Sequence, residues 1–127
     1  MSELLPRSEV DAFLADRSED VRQLALACRD VVLDVFPDAI ETAEGAEIGY
    51  GFDRGYRGLV FTISPTRDRV TLGVVDGASL PDPAGLLEGT GKRHRHVKVH
   101  DAAGLDDRLR DVLRRALARR RQQDVTG

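Results

Sequence analysis

Between Gly85 and Val99 the chain sets glycines at 85, 89 and 91 ahead of Lys92, Arg93, His94, Arg95, His96 and Lys98. Glycine lets a turn take positive φ and aim backbone N–H groups at an anion, and cations on the strand that follows add charge for a phosphate or carboxylate. Gly89, Gly91, Lys92, Arg93 and Arg95 are therefore the candidate ligand-binding residues. They do not form the phosphate loop of a nucleotide hydrolase. The upstream glycine has the wrong spacing, Arg93 stands where Ser or Thr would hold magnesium, and a strand rather than a helix follows. His94, His96 and His100 would share one strand face with Lys98, and imidazole is a frequent metal ligand. Lys92, Arg93, Arg95 and Lys98 repel a divalent cation, so neither a metal nor another cofactor is expected there. Asp34, Asp38, Glu41, Glu44 and Glu47 form an acidic segment with the hard oxygen donors that iron prefers, although a solvated helix end and loop accounts for it more simply. Ser79 lies in a Pro-flanked loop without a nucleophile-elbow motif, and no catalytic residue is assigned.

The elements that must position these residues follow from periodicity. Ser8 precedes Val10, Phe13 and Leu14, which share a helical face, so a short helix starts there. Ser18 caps a longer helix with Val21, Leu24, Ala25, Cys28, Val31, Val32 and Val35 on one face, stopped by Pro37. Cys28 sits inside that stripe as a buried, inert thiol. Ten of the twelve glycines then fall between Gly45 and Gly91, where strands and turns replace the helical period. Ile48, Tyr50 and Phe52 alternate with Gly49 and Gly51. The β-rich runs Leu59–Ser64 and Val70–Val75 form a hairpin through Pro65-Thr66-Arg67-Asp68, with Leu59, Phe61, Ile63, Val70, Leu72 and Val74 toward the core. The strand from His94 to His100 turns Val97 and Val99 inward. From Leu105 a last helix carries Leu109, Val112, Leu113, Ala116 and Leu117 on one face. Arg114, Arg115, Arg119, Arg120 and Arg121 near its end suit the negative pole of the helix dipole. The tail 122–127 is expected to be disordered.

The order helices, strands, helix predicts a single α+β domain with N-terminal helices, a central mainly antiparallel sheet and a C-terminal amphipathic helix. A chain of 127 residues buries enough surface to fold without metal or disulfide. No apolar run reaches the length of a membrane span. The N-terminus lacks the pattern of a secretory signal and Cys28 is alone, which points to the cytoplasm. Net charge hides an asymmetry: residues 1–53 hold 4 Arg and 13 acids (−9), residues 54–127 hold 15 Lys/Arg and 9 acids (+6), summing to −3. Such halves neutralise one another where they meet. Few aromatics, none interleaved with the basic run, and a pI of about 5.6 count against nucleic acid as partner.

Val70-Thr71-Leu72-Gly73-Val74-Val75-Asp76-Gly77-Ala78-Ser79-Leu80, the glycine-hinged block Gly85–Val99 and the closing amphipathic helix resemble the bacterial YdhG-like family of domains of unknown function, over about Val21 to Leu117. The resemblance implies N-terminal helices, a mainly antiparallel sheet and a C-terminal helix. It implies no catalytic motif. Some members of the family are described as frataxin-like iron chaperones, a role that would fall here on the acidic segment. The reading adopted is a non-enzymatic binding or adaptor module whose basic, glycine-hinged edge meets an anionic ligand or acidic protein surface, with the iron chaperone as the alternative.

Overall fold

The computed structural model describes residues 3–126, with side chains described for residues 3–123. Pro6, not Ser8, opens the first helix, α1 (Arg7–Leu14): the Pro6 carbonyl accepts from Glu9 and Val10 N–H, which leaves Ser8 inside the first turn. Proline's preset φ and missing donor suit a helix entrance. Helix α2 (Glu19–Val35) begins as expected, with Ser18 Oγ accepting from Val21 N–H and Glu19 and Asp20 in the first turn. Its apolar face, from Val21 through Val35, is buried.

Five strands follow: β1 (Ile40–Glu44), β2 (Glu47–Gly51), β3 (Leu59–Pro65), β4 (Val70–Val74) and β5 (Arg95–Val99). They pair in sequence order, every neighbour antiparallel. Helix α3 (Asp107–Thr126) closes the chain. Its start lies two residues after Leu105, because Asp106 accepts Leu109 N–H on its carboxylate and Arg110 N–H on its carbonyl. The expected disorder of 122–127 falls partly on Gly127 and on the side chains from 124 onward, which lie outside the described residues. Helices α2 and α3 pack on one sheet face, where Ile48, Tyr50, Phe61, Ile63, Leu72, Val74 and Val97 meet Cys28, Val32, Leu109 and Leu113. The domain is α+β, as its sequence predicts.

Three further expectations need correction. The acidic segment is expected to be a solvated helix end and loop, yet part of it forms β1, whose pleat turns Glu41 inward beside Tyr50, so the strand carries no alternating apolar signal. Alternation predicts Leu59 in the core. A register shift at Tyr50/Gly51 pairs Leu59 with Gly51 and brings Leu59 Cδ1 over Gly49 on the opposite face, while Val60 turns inward; an extra residue in one strand does this to everything beyond it. Phe52 lies past the end of β2 and packs edge-on against Phe36, ring centroids 5.4 Å apart. Close approach demands glycine at 51, where a Cβ would come within 2.7 Å of the Gly58 carbonyl oxygen.

Candidate functional site

The glycine-hinged segment is a loop closed on itself. Glu88 and His96 exchange backbone hydrogen bonds of 2.8 and 3.0 Å, which adds a bridge to the outer edge of β5. Gly89 reverses the chain at φ +123, a conformation that L side chains rarely adopt. Arg95 folds back, donating through Nη1 to the carbonyls of Gly91 and His94. Arg95 thus braces the loop that presents Lys92 and Arg93.

Arg93 points to Asp76, its Nε donating to Oδ1 at 2.9 Å, while its side chain stays 67% exposed. Asp76 sits at positive φ, +60, between β4 and a 3-10 turn at Gly77–Ser79. Its second oxygen takes Arg120 Nη1 at 2.9 Å, and Arg120 Nη2 donates to the carbonyls of Arg57 and Leu59. Arg119 Nη1 reaches Ser79 Oγ at 2.9 Å. The end of α3 therefore does more than answer the helix dipole: its guanidiniums tie the helix to the sheet. Arg121 likewise pairs with Asp38 at 2.8 Å and lies over the Phe36 ring at 5.5 Å.

These contacts frame a cleft of about 310 Å³ lined by Asp76, Ala78, Ser79, Lys92, Arg93 and Gln123. Lys92 is exposed and enters no ion pair among the described residues. Among the described residues the Arg93 guanidinium is bound through Nε alone. Hydrogen bonding to Asp76, reinforced by its charge, holds the Arg93 guanidinium above the usual arginine pKa. Asp76, the one carboxylate lining the cleft among the described residues, faces Lys92, Arg93 and the half-buried Arg120, so the cleft keeps an excess of positive charge.

The three histidines do not converge. Asp76 N–H donates to His94 Nδ1 at 3.1 Å, and His94 Nε2 lies 3.4 Å from Tyr56 Oη. His96 shares the helix-free sheet face with Gly73 and lies against Gly89. His100, past the end of β5, lines a separate cleft against α2 with Asp20 and Gln23. The acidic segment is dispersed as well: Asp34 pairs with Arg110 and Asp38 with Arg121. Glu41 is 1% exposed and accepts from Arg29 at 2.7 and 2.9 Å, Tyr50 Oη at 2.8 Å and Leu5 N–H at 3.0 Å. Among the described residues no group of three or more His, Cys, Asp or Glu is placed to hold a metal ion.

Sequence order hides the partners that build this edge. Asp76-Gly77 reads as an ordinary turn, Arg120 as one of five arginines near a helix end, and Tyr56 as an isolated aromatic 38 residues from His94. The Arg29–Glu41–Tyr50 cluster is equally silent, since one strand position decides it.

Among the described residues no helix is long and apolar enough to cross a membrane. Comparisons with curated proteins and with solved structures give no significant match. Residues 10–117, which include both long helices' apolar faces, the whole sheet and the basic loop, match the family described as a domain of unknown function, DUF5655. The resemblance carried by the glycine-hinged block is thereby borne out, and the chain belongs to this YdhG-like DUF5655 family.

Proposed function

We propose that the domain is a non-enzymatic, cytoplasmic binding module whose basic edge receives an anionic ligand or an acidic protein surface. The observation that carries this reading is the cleft beside Asp76, where Lys92 and the outer nitrogens of Arg93 are presented by the loop and meet no carboxylate among the described residues, Asp76 taking Arg93 through Nε. Gly89, Gly91 and Arg95 set the loop; Lys92 and Arg93 supply the contact, and Ser79 Oγ, which already accepts from Arg119, keeps its proton to donate. A bidentate guanidinium and a mobile ammonium suit a phosphate or carboxylate group. Asp76 remains neutralised by Arg120 when Arg93 turns to a ligand, so binding leaves no half-buried charge alone. The lone buried thiol of Cys28 fits a reducing compartment. Titrating inorganic phosphate while following backbone amide NMR signals tests the reading. Shifts concentrated at Ala78, Ser79 and Gly89–Arg95 are expected; shifts centred elsewhere contradict it.

A further inference from the structure

Tyr56 is 72% exposed, the most exposed large hydrophobic among the described residues. A short chain of contacts fixes it beside the basic edge: Tyr56 Oη to His94 Nε2, His94 Nδ1 to Asp76 N–H, Asp76 Oδ1 to Arg93 Nε. Tyr56 lies within electrostatic reach of Arg93. Its ring neither stacks on another aromatic nor carries a cation among the described residues, where the ring pairs and cation contacts belong to Phe36, Phe52 and Phe61. Exposing an aromatic plane to water is unfavourable unless something covers it. A bare phosphate or an acidic peptide makes no use of such a plane, whereas a nucleobase stacks on it and brings its own phosphate. The aromatic that the basic run lacks in sequence is thus supplied by the fold.

Resting on the anion-binding reading of this edge, we infer that its ligand is nucleotide-like, with the base stacked on Tyr56 and the phosphate held by Lys92 and Arg93. A free nucleotide and a single-stranded nucleic acid share this chemistry, and they separate by whether one unit or several engage the surface. Stacking on one aromatic side chain corresponds to about fivefold to 150-fold in affinity.

The experiment is isothermal titration of the whole chain with AMP, ribose 5-phosphate, inorganic phosphate and a single-stranded oligothymidylate, repeated on Tyr56→Ala and Tyr56→Phe. AMP is expected to bind at least about fivefold tighter than ribose 5-phosphate. Tyr56→Ala should erase that preference while leaving ribose 5-phosphate affinity and the melting midpoint unchanged, and Tyr56→Phe should retain it. Oligothymidylate binding more than about tenfold tighter than AMP assigns the polymer; equal binding assigns the free nucleotide. If AMP and ribose 5-phosphate bind equally, or the preference survives Tyr56→Ala, the nucleotide assignment is overturned while the anion site stands. If none of the four ligands binds, the anion site falls with it.

Discussion

Glu41 holds a carboxylate inside the domain because donors from three directions converge on its two oxygens: Arg29 from α2, Tyr50 from β2 and the Leu5 N–H ahead of α1. Burial pushes its carboxyl up, but those hydrogen bonds together outweigh it and hold the pKa below the ordinary glutamate value. The folded state is then the weaker proton binder. Its contribution to stability is present above the unfolded value of about 4.3 and disappears as pH falls through the lower folded value. Glu41→Ala strands Arg29 without its partner and is expected to cost about 3–5 kcal/mol in a denaturant melt. Glu41→Gln should flatten the acid limb of stability against pH; an unchanged acid limb would mean that folding leaves the proton affinity of Glu41 where it stands in the unfolded chain. Cys28 has the opposite sign. Burial pushes its thiol up to about 12, so its contribution is complete below the unfolded value of about 8.5 and is lost as pH rises through about 12. Cys28→Ala should cost about 1 kcal/mol, the scale of one methylene-sized void, and leave anion binding intact. Labelling of the native thiol as fast as that of the unfolded chain would contradict its burial.

The elements depend on two tertiary devices. Arg120, its side chain 13% exposed, joins α3 to Asp76 and to the carbonyls of Arg57 and Leu59. Arg120→Ala is expected to cost about 2 kcal/mol, because it removes charge-assisted hydrogen bonds and leaves their acceptors unmet; a melting curve matching the unaltered protein would reduce Arg120 to an ornament of the helix end. Gly51→Ala drives a Cβ to 2.7 Å from a backbone oxygen, whereas at Gly91 the nearest atom is 3.8 Å away. The first substitution should cost about 1–3 kcal/mol, as overpacking does, and more than the second. Which elements were legible follows from the same physics. α2, α3, β4 and β5 show their buried faces as plain periodicity, and the loop cations at 92, 93 and 95 stand next to one another in the chain. β1 was invisible because its inward position holds Glu41, and Leu59 was misplaced because a bulge changes parity without changing composition. The loop's candidate residues could be named from sequence, but the cleft they face could not, since Asp76, Ser79 and Gln123 reach it from other parts of the chain.

Over the whole molecule the acidic and basic halves meet: Glu3 pairs with Arg54, Asp34 with Arg110 and Asp38 with Arg121. Part of the charge asymmetry is absorbed in this way across partly exposed surfaces, where each pair contributes little to stability. The loop edge differs, because Lys92 lacks a carboxylate partner among the described residues and Arg93 shares Asp76 with Arg120. Positive charge left over on one edge of a domain whose net charge is −3 draws anions in a manner that salt screens. The decisive measurement is phosphate affinity of the unaltered chain and of Lys92→Gln/Arg93→Gln at low and physiological ionic strength, with melting midpoints taken in parallel. Affinity should fall as salt rises in the unaltered chain, and at low salt the double substitution should weaken it by about tenfold or more, the worth of roughly 1.4 kcal/mol in charge-assisted contacts, with the midpoint unmoved. A double variant that melts early yet binds phosphate as tightly as the unaltered chain would make Lys92 and Arg93 parts of the scaffold and place no binding site at this edge.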